Sequence, residues 1–250
     1  ENYTKLPLTE YVARREITLP LYYSMTLEQV DYVSSTLIDI LEDQKVKLKK
    51  WEELPENMKN DYVRKYYDIL YTKRISLFAK RIFDIIFGVL VLVILSPVFL
   101  VISIAIKLDS RGPIMFRQTR ITQYGKKFRI FKFRTMVANA EKIGTQVTTK
   151  NDSRITKVGK ILRKYRLDEI PQLLNVITGD MSFVGTRPEV VKYVERYSQE
   201  MMATLLLPAG ITSEASINYK DEEQLLASAI DADETYINDV LPGKMNYNLE

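Results

Sequence analysis

The residues in this chain best suited to chemistry are Asp168 and Glu169, adjacent carboxylates in the stretch RKYRLDEIPQLLN at 163–175. An aspartate just ahead of Ile170, Leu173, Leu174 and Ile177, with Pro171 in the first turn, has the sequence signature of a helix N-cap. The same place suits reaction chemistry. A helix N-terminus favours an ionised carboxylate, and Arg163 and Arg166 favour it further while attracting phosphate. Such a carboxylate can be a nucleophile towards phosphorus once cations offset the like charge. Spacing alone leaves both readings open.

Composition narrows the chemistry. The 250 residues include no Cys and no His, which excludes disulfides, thiolate zinc sites, cysteine nucleophiles and every triad built on an imidazole. Carboxylates, Lys, Tyr and Ser remain. The net charge of +4 conceals a block from Arg111 to Arg166 with sixteen basic residues and two acidic ones, Glu141 and Asp152. So dense a block points to an anionic partner: nucleic acid, acidic lipid or a phosphorylated metabolite. The first residue is Glu, as expected of a processed product or a piece of something longer.

The elements that must carry these residues follow from periodicity. Residues 26–41 start with a capping box, Thr26 and Gln29, and continue with Val30, Val33, Leu37 and Ile40 at helical spacing. Residues 42–60 are polar and read as a linker, after which DYVRKYYDIL resumes a helical pattern. Residues 85–106 hold no charge over 22 positions, ~33 Å of helix at ~1.5 Å per residue, enough for a ~30 Å hydrocarbon core. Ser96-Pro97 interrupts that run, and basic residues flank both ends. A kinked single-pass anchor and a re-entrant hairpin turning at the proline fit the pattern equally. Beyond it, Tyr124-Gly125 suggests the turn of a strand pair, a helix is expected over 153–166, and another from about Glu169 to Thr178, stopped by Gly179.

Five stretches occur together and in order: KRIFDIIFG, SP within the apolar run, FRQTRITQYGKKFRIFKFRTM, LRKYRLDEIPQLLNVITGDMSFVGTRPE and PAGITSEASINYKDEE. Together they resemble the bacterial sugar transferase family, the small monotopic phosphoglycosyl transferases, over about residues 79–250. The resemblance implies a mostly helical α/β monotopic membrane protein. Its parts would be a re-entrant membrane helix hairpin broken at Ser96-Pro97 and a catalytic domain on the cytoplasmic face of the bacterial inner membrane. It implies transfer of a sugar 1-phosphate from a UDP-sugar to a polyprenyl phosphate, with release of UMP, as the first membrane step of glycoconjugate assembly. Asp168 would be the nucleophile that carries a covalent phosphosugar, and Glu169 its dyad partner, the two holding a magnesium ion. Lys132 and Arg134 in FKFRTM, Arg163 in LRKYRLDE and Arg187 in GTRPE match family positions that contact phosphate or nucleotide. Thr186 departs from the pattern, which has proline there, and the family pattern continues past residue 250.

Residues 10–41 resemble instead the C-terminal end of the sugar aminotransferases that use pyridoxal phosphate. The expected organisation is therefore an aminotransferase-like remnant at 1–45, a linker and interfacial helix at 46–78, a membrane hairpin at 79–107 and a catalytic domain at 108–250. The aminotransferase-like segment points to an amino or acetamido sugar on the donor. The expected partners are UDP-sugar, polyprenyl phosphate and the lipid bilayer, with homo-oligomerisation left open and nucleic acid excluded. A nucleic-acid-binding module, suggested by KKFRIFKFR, and a non-catalytic membrane scaffold are the competing classes.

Overall fold

Alternation along two short apolar-basic runs sets the frame of the site. The computed structural model describes residues 48–138, 140, 152–219 and 232–249; the helix expected at 26–41 and the segment 1–45 lie outside them. Strands β1 (Met115–Ile121) and β2 (Lys127–Phe133) pair antiparallel from Met115 opposite Phe133 to Ile121 opposite Lys127. Tyr124 and Gly125 make the turn with φ of 57° and 75°, the left-handed geometry that the sequence foreshadows at this glycine. On β2, Phe128 and Ile130 are buried with Val176 and Met181, whereas Phe133 is buried with Ile102, Ile106 and Leu162. Lys132 shares the face of Phe128 and Ile130, so strand periodicity presses a cation towards the core.

Helix α1 (Asp61–Thr72) is capped by the Asn60 side chain, which accepts from the Val63 amide. Residues 51–58, read from composition as linker, form two short 3-10 turns instead. Their Leu54 and Met58 are buried with Val63, Tyr67, Ile121 and Leu206. A few well-spaced apolar residues outweigh a polar average.

Helix α2 (Arg74–Asp109) holds the apolar run. Its mean hydropathy reaches 3.2 over eighteen residues, 11% of them buried, and among the described residues it is the one helix long and apolar enough to cross a membrane. The break expected at Ser96-Pro97 is absent: the helix continues through Pro97. Proline removes the donor that would serve the Val93 carbonyl, and the Ser96 hydroxyl donates to that carbonyl at 2.8 Å instead.

Both halves of α2 are tied to the same body. Near the start, the Arg81 guanidinium donates to the carbonyls of Val176 and Ile177 at 2.6 and 2.9 Å, while Asp84 accepts from the Ser182 hydroxyl and the Phe183 amide. Lys80 donates to Ser182 and Val184. Near the end, Phe99 packs on Phe133, and the Asp109 carboxylate accepts from the Val158 amide in the first turn of α3 (Lys157–Lys164), whose N-cap is Thr156. Between these ties Val89, Leu90, Val93, Ile94, Val98, Leu100 and Val101 are exposed.

The remaining frame is α4 (Gln172–Thr178), which Gly179 ends at φ 90°, and a two-stranded parallel sheet of β3 (Met181–Val184) and β4 (Ala209–Thr212). At the end of that sheet Gly210 lies against Gly185, and a Cβ there would meet the Gly185 backbone nitrogen and oxygen at 2.2 Å. Backbone cannot yield as a side chain can. Gly210→Ala should therefore lower the thermal unfolding temperature of the detergent-solubilised protein, overpacking costing ~1–3 kcal/mol. Gly125→Ala, with nothing within 4 Å of its Cβ, should lose only about 1 kcal/mol from left-handed backbone. Equal losses in the two variants would contradict this packing.

Candidate active site

Asp168 is not a helix cap. Arg166 takes a left-handed conformation, φ 55°, and turns the chain into a short 3-10 turn, Leu167–Glu169, from which α4 starts three residues later with Pro171 at its N-cap position. The helix expected from Glu169 thus begins at Gln172. The Asp168 carboxylate is left half-buried in the turn rather than spent on capping an amide.

Glu169 is held by two cations. Lys132 Nζ lies 2.8 Å and an Arg187 terminal nitrogen 2.7 Å from the same oxygen, Oε1. Burial works to raise the Glu169 pKa, but Lys132 and Arg187 outweigh it and hold it at about 2. Asp168 goes the other way. Burial, with Glu169 adding, raises its pKa above the ordinary carboxylate value, against the opposing pull of Lys132, its own amide and Arg163. Burial also pushes the Lys132 ammonium down, opposed chiefly by Glu169. One carboxylate of the dyad is thus fixed as an anion, while its neighbour is desolvated and held close to cations.

Each side chain arrives by a traceable route. Lys132 comes from the core-facing row of β2. Asn175 locks that strand to α4, accepting from the Phe131 amide at 2.8 Å and donating to the Arg129 carbonyl at 3.2 Å. Arg163 donates through Nε to the Thr135 hydroxyl at 2.9 Å. That approach depends on Gly159, one turn earlier on α3, where a Cβ would meet the Thr135 carbonyl oxygen at 2.0 Å. Arg187 projects from the loop after β3, whose Thr186 carbonyl accepts from the Gly210 amide.

Lys132, Glu169 and Arg187 therefore meet directly, and Arg163 acts on Asp168 through its charge. Arg134 does not join them. It is 5% exposed, and its guanidinium donates to the carbonyls of Arg111 and Ser110 at 2.5 and 2.8 Å, closing the C-terminal end of α2. Gly112, at φ 131°, leaves room for it: a Cβ there would lie 2.0 Å from an Arg134 nitrogen. Ser96 and Pro97 sit in the exposed stretch of α2.

Sequence reasoning missed Arg120 and Gln172, which line a small cleft beside the dyad together with Lys132, Arg187, Pro188 and Gly210. Strand alternation could have found Arg120. It sits opposite Phe128, four pairs along from Phe116 opposite Lys132, and so shares the face of Lys132. Nothing local distinguishes Gln172 from any polar helix residue.

Among the described residues no group of three carboxylates, His or Cys could hold a metal by itself. Asp168 and Glu169 are the side chains that would hold a magnesium ion, which is commonly bound through one or two carboxylates plus substrate phosphates.

Known proteins carry the same sequence features. The model of the family described as bacterial sugar transferase matches residues 75–243. The UDP-N-acetylgalactosamine-undecaprenyl-phosphate N-acetylgalactosaminephosphotransferase of Aeromonas hydrophila is 40% identical over 163 residues, 64% of this chain and 37% of its own length. The UDP-glucose:undecaprenyl-phosphate glucose-1-phosphate transferase of Escherichia coli K12 is 47% identical over 143 residues, 56% of this chain and 31% of its own. The undecaprenyl-phosphate galactose phosphotransferase of Salmonella typhimurium is 38% identical over 155 residues, 56% and 32% respectively. The chain thus spans about a third of the length of these relatives.

The opposed shifts of the dyad predict opposed effects on stability. A carboxylate with a depressed folded pKa stabilises above its unfolded value, and that contribution is lost as pH falls through the folded one. For Glu169 the window runs from 4.5 down to about 2. A carboxyl with a raised folded pKa contributes below its unfolded value of 3.8 and loses that contribution as pH rises. At pH 7, Asp168→Asn should therefore unfold at a higher temperature than wild type, and Glu169→Gln at a lower one. Thermal melts at pH 7 and 3.5 check this, and a destabilised Asp168→Asn at pH 7 would contradict the reading of the dyad.

Proposed function

Because the chain belongs to the bacterial sugar transferase family, we propose that it transfers a sugar 1-phosphate from a UDP-sugar to a polyprenyl phosphate, releasing UMP. The observation that carries this reading is the Asp168 carboxylate, desolvated and unspent on capping, beside a partner already neutralised by Lys132 and Arg187. It is supported by relatives whose names describe undecaprenyl-phosphate sugar phosphotransferases.

In the first step Asp168 attacks the sugar-bearing phosphorus. An aspartyl–phosphorus bond forms, the bond to the bridging oxygen breaks, and UMP departs with that electron pair. In the second step a phosphate oxygen of the lipid attacks the same phosphorus, forming the polyprenyl diphosphosugar and returning Asp168 as a carboxylate. Burial makes Asp168 a less solvated nucleophile. Lys132, Arg163 and Arg187 offset the charge of an incoming diphosphate through charge-assisted hydrogen bonds, which the arginine fork can make in pairs. Magnesium, held by Asp168 and Glu169, would supply further neutralisation of phosphate oxygens. Glu169, ionised at any physiological pH, fixes Lys132 and Arg187 in place.

The layout suits one soluble and one membrane-held substrate. Leu167 and Ile170, which bracket the dyad, pack beside Phe99, Ile102 and Ile106 of α2. The dyad therefore sits at the foot of the apolar helix. Since one body holds both halves of α2, the exposed stretch between them is read as entering the bilayer and returning to the same face, the cytoplasmic face of the bacterial inner membrane. The re-entrant form needs a bend near Pro97 rather than a break in the helix.

The donor sugar is proposed to be an amino or acetamido sugar, on the likeness of residues 10–41 to sugar aminotransferases. The Aeromonas relative, named for N-acetylgalactosamine, is consistent with it, although other relatives are named for glucose and galactose.

Incubation with UDP-sugar labelled in the sugar should leave label covalently on the wild type and none on Asp168→Asn, which keeps the shape and removes the anion. Substantial turnover by Asp168→Asn would exclude this nucleophile. In a panel of UDP-sugars with polyprenyl phosphate in detergent, UMP should appear fastest from amino or acetamido sugars. Faster release from UDP-glucose or UDP-galactose would overturn the sugar assignment while leaving the reaction class intact.

A further inference from the structure

A buried polar cluster away from the dyad grips the loop that carries Arg187. Glu189, two residues on, is 5% exposed and accepts from the Tyr236 hydroxyl at 2.6 Å. Lys244, 6% exposed on α5 (Leu241–Leu249), donates to the same hydroxyl at 3.2 Å and lies 3.9 Å from the same Glu189 oxygen. The Tyr236 ring is fixed in turn against Tyr193, centroids 4.5 Å apart, and packs with Val240, Leu241 and Met245. Tyr236 opens a π-helical turn, Tyr236–Val240, that leads into α5.

The backbone of the loop is bound on its other side. The Pro188 carbonyl accepts from Arg120 at 3.2 Å, the Glu189 carbonyl from the Ile121 amide at 3.0 Å and the Thr186 carbonyl from the Gly210 amide at 2.9 Å. The residue between these fixed points is Arg187, whose side chain reaches Glu169. The side-chain tether at Glu189 is the one contributed by the C-terminal segment, 47 residues further along the chain.

We propose that Tyr236 and Lys244 are positioning residues for Arg187, acting through Glu189, so that the C-terminal helical segment completes the site that receives the donor diphosphate. This rests on the proposed function for the identity of the ligand, and on geometry for the coupling. The Arg120 guanidinium adds a further positive charge facing Glu189, but losing the tyrosine hydroxyl or the ammonium leaves this buried carboxylate short of a hydrogen bond or a nearby cation and favours movement towards water. Glu189 is ~7 Å along an extended chain from Arg187, so its movement displaces the arginine. Neither Tyr236 nor Lys244 touches the reacting atoms in this arrangement, and the effect belongs to donor binding rather than to the lipid step.

The test uses the full chain in detergent, with KM for the UDP-sugar, equilibrium binding of UDP and thermal unfolding as readouts. Tyr236→Phe should raise both KM and the UDP dissociation constant about tenfold, the equivalent of one lost hydrogen bond to a charged group. It should leave the rate of phosphosugar transfer from the trapped intermediate to polyprenyl phosphate within about twofold. Lys244→Met should behave alike, and Lys244→Arg, which keeps the charge, should bind UDP close to wild type. In an Arg187→Gln background Tyr236→Phe should add nothing to either constant, as expected when one residue acts through another. Multiplying effects in that double variant, or a Tyr236→Phe that unfolds earlier yet binds UDP normally, would overturn the proposal. A wild type that releases no UMP from any UDP-sugar would sink the proposed function instead, and the UDP-binding cycle would still decide the coupling.

Discussion

The buried ties at the two ends of α2, Arg81 and Asp84 at one and Asp109 with the Arg134-bound carbonyls at the other, constrain where everything else can lie. Lys80, Arg81 and Asp84, charges beside an apolar run, would ordinarily be read as groups for the membrane–water boundary. Here they turn inward and spend their hydrogen bonds on β3 and the end of α4. The outer face of α2 is thereby left to Ile75, Phe78, Ile82, Phe83 and Ile86, which run into the exposed valines and leucines beyond. Around ten large apolar side chains in water, at ~1.5–3 kcal/mol each when fully transferred, amount to a driving force on the order of 10 kcal/mol or more. No set of surface ion pairs at ~0–1 kcal/mol apiece competes with that, so this exposed apolar face outweighs them as a drive out of water.

The same ties place the dyad. Because the first turn of α3 donates to the Asp109 carboxylate and α4 ends under the Arg81 guanidinium, the segment between them, Tyr165 to Pro171, is suspended across the base of the apolar helix. There the charges are arranged unequally. Among the described residues two cations converge on Glu169 and none bonds directly to Asp168, so the fold accepts a raised pKa, and the stability it forgoes, at one carboxylate. Such a sacrifice is typical of groups kept for chemistry rather than for structure.

Much of this was legible in the sequence because the governing signals are local. The Tyr124-Gly125 turn, the helix stop at Gly179, the length of the apolar run and the adjacency of Asp168 and Glu169 all follow from neighbours in the chain. The failures have physical reasons too. Arg166 in a left-handed conformation delays α4 by three residues, a choice no propensity announces. Arg134 looks like one more cation in a basic strand, and only the space beside Gly112 shows that it closes a helix. Pro97 promised a break, but the preceding serine repairs the lost hydrogen bond. Leu54 and Met58 were hidden in a polar average. Glu189 with Tyr236 and Lys244 could not be paired from sequence at all, since periodicity says nothing about partners 47 and 55 positions apart.

If one body holds both ends of the apolar helix on one side of a bilayer, both ends must be accessible from that side. The chain has no cysteine of its own, so single cysteines at the exposed positions Ser76 and Thr119 can be reacted with a membrane-impermeant maleimide in sealed, oriented vesicles. Both should label from the same side and be protected together from the other. Labelling of Ser76→Cys from one side and Thr119→Cys from the opposite side would show that α2 crosses the bilayer and would contradict that arrangement.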